Sequence, residues 1–123
     1  MSSPDLEALS GEDFCYLTTV GRVSSRPHEI EIWFALDGDT LYILSGGRDR
    51  SDWVRNLRRN PEVAVRIASE HFDGQARVVE DAEEDALARR LLVEKYEHTP
   101  GRLANWRRNA LPVAVDLAIQ PIG

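Results

Sequence analysis

Two loops hold the residues of this chain best suited to gripping a ligand. Gly21–His28 reads GRVSSRPH, and Ser45–Asn60 reads SGGRDRSDWVRNLRRN. Each follows a strand-like run, and each mixes glycine or serine with arginine. Gly46 and Gly47 permit positive φ and let main-chain N–H groups face a phosphate or carboxylate. Arg48 and Arg50 can add charge-assisted hydrogen bonds, while Ser24, Ser25 and Arg26 offer donors from the first loop. Ser51 is an N-cap residue type, Asp52 suits a first helical turn, and a helix start favours anions. The chemistry of this pattern is anion binding. The same residues also read as a solvated turn and a hairpin tip, and Trp53 reads as either a core residue or a stacking platform.

Side-chain catalysis finds less support. His28, His71 and His98 lie far apart, and HEIE lacks the second histidine of a zinc-binding HExxH, so no metal site is expected. Ser24, Ser25 and Ser45 sit in no nucleophile-elbow pattern, and neither a GxxxxGK[ST] nor a GxGxxG loop occurs. Cys15 is the one cysteine; it falls in an apolar run and reads as a buried structural thiol. No catalytic side chain is expected.

The elements that must position these loops fit one domain over 1–123. The net charge of −6 argues against a nucleic-acid partner. Residues 21–66 hold eight arginines against seven acids, so the negative surplus lies in the flanks. No apolar run approaches the ~20 residues of a membrane span. The acidic start, MSSPDLEALSGED, does not resemble an export signal, and a cytoplasmic setting is expected.

Phe14–Val20 reads as a strand, and His28–Ala35 as a second with strict alternation. Ile30, Ile32 and Phe34 face one side, Glu29, Glu31 and Trp33 the other. Asp37–Asp39 is a hairpin turn leading to Thr40–Leu44. A short helix follows Ser51 and stops at Asn60-Pro61. Val63–Ala68 and Gly74–Glu80 are strands around a loop at Ser69–Asp73. Asp81–Glu84 resembles a capping box, opening a helix with Leu87, Ala88, Leu91, Leu92 and Tyr96 on one face. A helical turn at Pro4–Leu9, a helix at Arg102–Asn109 and a strand at Pro112–Ile119 complete the reading. The expected fold is α+β, a six-stranded antiparallel barrel with two or three peripheral helices.

TTVGRVSSRPHEIEIWF followed by LSGGRDRSDWVRNLRRNPEVAV resembles the deazaflavin-dependent nitroreductase and quinone reductase family. That family belongs to the split-β-barrel flavin and deazaflavin oxidoreductases, which include pyridoxamine-phosphate oxidase-like proteins. The resemblance spans Phe14–Ile67, and the closing LPVAVDL strand also fits. It implies a split barrel, often a homodimer, that binds coenzyme F-420 or, alternatively, FMN. The implied reaction is hydride transfer to a quinone, nitro compound or similar small acceptor. A non-catalytic cofactor-binding module of the same fold is the remaining alternative. By resemblance, Arg22, Val23, Ser24, Ser25 and Arg26 form the turn meeting the cofactor. His28, Glu29, Ile30, Glu31 and Ile32 run beside its ring. Ser45, Gly46, Gly47, Arg48 and Arg50 meet its phosphate-bearing side chain, and Trp53, Val54, Arg55 and Asn56 form the adjoining helix start. Tyr96 and Trp106 are assigned to the acceptor.

Overall fold

Period-two patterning in this sequence builds an antiparallel sheet, seen in a computed structural model that describes residues 6–118. Its strands are β1 (Cys15–Val20), β2 (Pro27–Ile32), β3 (Ala35–Asp37), β4 (Thr40–Ser45), β5 (Glu62–Ile67), β6 (Glu70–Val78) and β7 (Leu111–Ala118). The helices are α1 (Leu6–Leu9), α2 (Asp52–Arg59), α3 (Ala82–Tyr96) and α4 (Ala104–Asn109). The strand order is β2-β1-β5-β6-β7-β4-β3. The two edge strands, β2 and β3, are therefore consecutive in the chain, with only Trp33 and Phe34 between them. That short link brings the end of β2 beside the start of β3, so the sheet curls into a half-barrel and not the six-stranded barrel expected. The architecture is α+β.

Alternation then sorts side chains between the two faces of the curled sheet. Leu17, Leu41, Ile43, Val65, Ile67, Val113 and Val115 point inward to the main core, where Val54 and Leu57 of α2 join them. On the outer face, Tyr42, Leu44 and Ala114 pack beneath Ala88 and Leu92 of α3. The stripe expected on α3 is therefore the face that covers the sheet. Cys15 is fully buried in the main core, and burial pushes its thiol up to about 12, consistent with a structural role.

Four features depart from the sequence reading. First, seven strands replace six, because HEIEIWFA breaks at Trp33-Phe34 into β2 and β3. The break is held from outside the segment. Tyr96 Oη accepts from Phe34 N at 3.1 Å, and the Phe34 carbonyl accepts from Lys95 Nζ at 3.0 Å. The end of α3 thus satisfies backbone groups that a ladder would otherwise use. Second, Ser69–Asp73 is no loop: β5 turns into β6 at Ala68-Ser69, with Ala68 at φ +53°, and His71 to Asp73 pair in the sheet. Third, Ser51 stands at the expected N-cap position of α2, but its side chain makes no capping hydrogen bond; its hydroxyl bonds that of Ser45 at 2.9 Å instead. Fourth, there are four helices among the described residues, besides a 3-10 turn at Arg48–Arg50. Pro4, Asp5 and Ile119 lie outside the described residues.

The expected cap of α3 is half realised. Asp81 accepts from Glu84 N at 2.9 Å, but the Glu84 side chain turns to Arg77, with bonds of 2.6 and 2.8 Å. Arg77 also bonds Asp116, and Tyr42 Oη donates to Glu84 at 2.7 Å, so one cluster ties β4, β6, β7 and α3. The Arg77 guanidinium holds the Glu84 carboxyl down to about 2, against an ordinary 4.5. A depressed carboxylate stabilises the fold above its unfolded value and loses that contribution as pH falls through the folded one. Glu84→Gln is expected to cost about 1 kcal/mol at neutral pH, after allowance for the solvent exposure of the cluster. Denaturant melts should show this gap to wild type closing between about pH 4.5 and 2.

Candidate cofactor cleft

The β1–β2 turn and helix α2 face each other across an open cleft of about 660 Å3. Arg22, Val23, Ser24, His28, Glu29, Ile30, Trp53 and Asn56, all expected from the sequence, line it. Thr19, Gly21, Pro27 and Asp52 line it too and were missed. Thr19 gave no chemical signal, while Gly21 and Pro27 fell inside the first loop and Asp52 inside the second without being singled out as ligand contacts. The volume lies in the range of small-molecule sites. Its walls combine apolar surface from Ile30, Pro27 and Trp53 with polar groups on the turn.

Close approach shapes that turn. A Cβ on Gly21 would lie 2.5 Å from Ser24 Oγ and 2.7 Å from His28 Nε2. Glycine at 21 therefore lets Ser24 and His28 fold over the backbone, where their side chains sit 3.3 Å apart. Arg26 N donates to Ser24 Oγ, and two backbone bonds close the loop, Gly21 N donating to the Arg26 carbonyl and Ser25 N to the Gly21 carbonyl, with Ser25 at φ +59°. Val23 is 90% exposed at the tip.

Asn56 joins the two walls. Only 4% exposed, it accepts on Oδ1 from Arg22 N at 3.2 Å and Arg22 Nη1 at 2.9 Å, and its Nδ2 donates to the buried Thr19 hydroxyl at 3.2 Å. Arg22 Nη2 also meets Asp52 Oδ1 at 3.2 Å. Helix α2 thus orients the cleft's arginine.

The Ser45–Ser51 turn does not line this cleft. Ser45 is buried, with its hydroxyl on the Arg48 carbonyl at 2.9 Å and on Ser51. Positive φ falls on Arg48, at +54°, whereas Gly47 has φ −81°. Gly47 is needed for closeness instead, since a Cβ there would lie 2.5 Å from Ser51 Oγ. Arg48 Nη1 donates to the Asn109 carbonyl at the end of α4, and Arg55 Nε to the Asp49 carbonyl. Arg50 is exposed, Val54 is fully buried in the core, and Gly46 sits against Trp106. This stretch builds the floor from which α2 rises.

Farther along β2, Glu31, Ile32 and Trp33 line a second groove of about 490 Å3 with Phe14, Leu44, Leu103 and Trp106. Trp33 stacks on Tyr96 at 4.3 Å and meets Trp106 edge-on at 5.7 Å. Tyr96 and Trp106 are therefore brought together, with Trp33 between them. Trp33 was assigned to the correct face but given no role. Tyr96 Oη lies 2.9 Å from the Asp13 carbonyl and 3.0 Å from that of Phe34, and burial pushes it up to about 12, so it remains a donor. Burial pulls Lys95 below its usual value, beside the Phe34 ring.

The fold recurs widely among solved structures. An F420-H2 dependent reductase matches with TM-score 0.68 and 21% identity, covering 84% of this chain and 93% of its own. HutZ, a haem storage protein of Vibrio cholerae, matches with TM-score 0.68 and 18% identity, covering 96% and 88%. At such identities the likeness concerns fold alone, and these two show that the fold does not choose the ligand. Sequence is more selective. An F420H(2)-dependent quinone reductase of Mycobacterium tuberculosis is 31% identical over 103 residues, covering 80% of this chain and 68% of the relative. The pattern shared by the F420H(2)-dependent quinone reductases matches residues 4–118, which takes in both walls of the cleft and every strand described. The chain belongs to the F420H(2)-dependent quinone reductase family.

Proposed function

We propose that this chain is an oxidoreductase that binds coenzyme F-420 in the cleft between the β1–β2 turn and α2 and reduces a quinone or similarly activated acceptor. The observation that carries the proposal is the meeting, in one cleft, of residues from both motifs of the family: Arg22, Ser24, His28 and Ile30 among those from one, Asp52, Trp53 and Asn56 from the other. The donor set fits such a group: an oriented arginine, serine and histidine on a tight turn, with apolar surface from Ile30, Pro27 and Trp53 in a cleft of about 660 Å3. When bound, reduced F-420 supplies the hydride. The chain's own residues orient and shield. Ile30, Pro27 and Trp53 exclude water, Arg22 and the turn around Ser24, Ser25 and Arg26 receive the anionic side chain, and Glu31 and Ile32 border the acceptor's approach. Tyr96 and Trp106, with Trp33, offer an aromatic wall to a planar acceptor.

Residues 6–118 act, in this reading, as one split-barrel domain whose seam lies between β2 and β3. A homodimer would cover the free edge of β2 and Phe14, which is 42% exposed. No helix among the described residues is long and apolar enough to cross a membrane. With its one thiol buried, the chain needs no oxidising compartment, and the cytoplasm is the proposed setting.

Anaerobic mixing with reduced F-420 and menadione tests the proposal. Reduced F-420 should be consumed in step with the quinone. A protein that leaves it untouched, and carries FMN after desalting, belongs to the flavin alternative instead.

A further inference from the structure

The cleft has one arginine in its lining, and that arginine is already partnered. Arg22 is oriented by Asn56, a neutral residue that takes both its main-chain N–H and its Nη1. Asp52 adds a carboxylate at 3.2 Å, on a side chain 84% exposed, against 32% for Arg22. Removing Asp52 would leave the Asn56 bonds in place, so Asp52 is not what holds the guanidinium. An ion pair this exposed stabilises a fold only slightly. What it changes is charge: with Asp52 beside Arg22 and Glu29 elsewhere in the lining, the cleft carries two carboxylates against one guanidinium.

We infer that Asp52 is an internal counter-ion that competes with an anionic cofactor for Arg22 and so sets the cleft's affinity for charged ligands. The inference rests on the proposed cofactor reading of the same cleft. A phosphate reaching Arg22 takes the place of the Asp52 carboxylate, while Asn56 keeps the guanidinium aimed. The displaced carboxylate stays at the first turn of α2, where the helix dipole favours it. Asp52 thus lowers affinity for anions without blocking the cleft, and it discriminates by charge and not by shape. The cofactor ring, when its hydroxyl is protonated, should not sense it.

Two ligands separate these effects below the pH at which the ring hydroxyl ionises: F-420, and the phosphate-free deazaflavin that shares its ring and is then neutral. Both are titrated into wild type, Asp52→Asn and Asp52→Glu by ligand fluorescence, at low and high salt. Asp52→Asn should bind F-420 about two- to fivefold tighter at low salt, the range of an exposed ion pair. The gain should shrink at high salt, Asp52→Glu should behave like wild type, and the neutral ring should bind all three alike. Equal affinity of wild type and Asp52→Asn for F-420, or a parallel change for both ligands, overturns the inference and leaves the cleft reading standing. Absence of F-420 binding by any of the three overturns both.

Discussion

Asn56→Ala is expected to cost about 2 kcal/mol of stability and at least tenfold in cofactor affinity, the largest combined effect of any single change proposed for the cleft. The reasoning follows from where its three hydrogen bonds go. Asn56 is almost wholly buried and serves the Thr19 hydroxyl on β1 and both the backbone and guanidinium of Arg22. Truncation strands those groups, and a buried polar group left unpaired costs about 1–3 kcal/mol. It also releases Arg22 from its orientation, so binding suffers for a second reason. Arg22→Ala separates the two effects. It should weaken anionic-ligand binding comparably while lowering stability by less than about 1 kcal/mol, since its ion pair is exposed. Chemical denaturation and ligand titration on the two variants check the split.

Phe34→Ala is expected to be the most damaging substitution for the fold, costing about 3–5 kcal/mol. That is a large part of the ~5–15 kcal/mol typical of a whole domain. Phe34 is fully buried at the step between the sheet's two edges. Its ring lies 3.7 Å from Lys95 Nζ, and its backbone bonds Tyr96 and Lys95. Losing the ring opens a cavity beside an amine already drawn out of water, and loosens the join between β2 and β3. Phe34→Leu, which keeps most of the volume, should cost roughly 1–1.5 kcal/mol. A denaturant midpoint falling equally for both variants would contradict the packing role given to the ring.

The fold was legible where local pattern and tertiary structure agree. Alternation placed Ile30 and Ile32 toward the core and Glu29 and Glu31 outward, and the α3 stripe identified Ala88 and Leu92, both fully buried. It was not legible where a distant partner decides the backbone. The break at Trp33-Phe34 depends on Lys95 and Tyr96, some sixty residues on, so the alternating pattern ran straight through it. The turn at Ala68 uses a left-handed conformation on alanine, a residue that gives no turn signal. The site divides in the same way. The motif at Gly21–Ile30 named most of one cleft wall, because a hairpin turn is a local object. Composition leaves the SGGRDR stretch open between an anion loop and a solvated turn, and the family resemblance places it at the phosphate-bearing side chain. In the structure Arg48 reaches Asn109, 61 residues away, and the Ser45 hydroxyl is spent inside its own turn. Composition reports which donors exist; only the fold reports which are already taken.

That contrast between the two arginine loops supplies the most direct test. F-420 should be titrated into wild type, Arg22→Ala and Arg48→Ala, following the ligand's own fluorescence, with each variant's melting curve recorded alongside. Binding in the cleft between the β1–β2 turn and α2 predicts saturable binding to wild type, at least tenfold weaker binding to Arg22→Ala, and near-wild-type binding to folded Arg48→Ala. Loss of binding in Arg48→Ala, with Arg22→Ala unaffected, would contradict this placement and move the cofactor to the other loop.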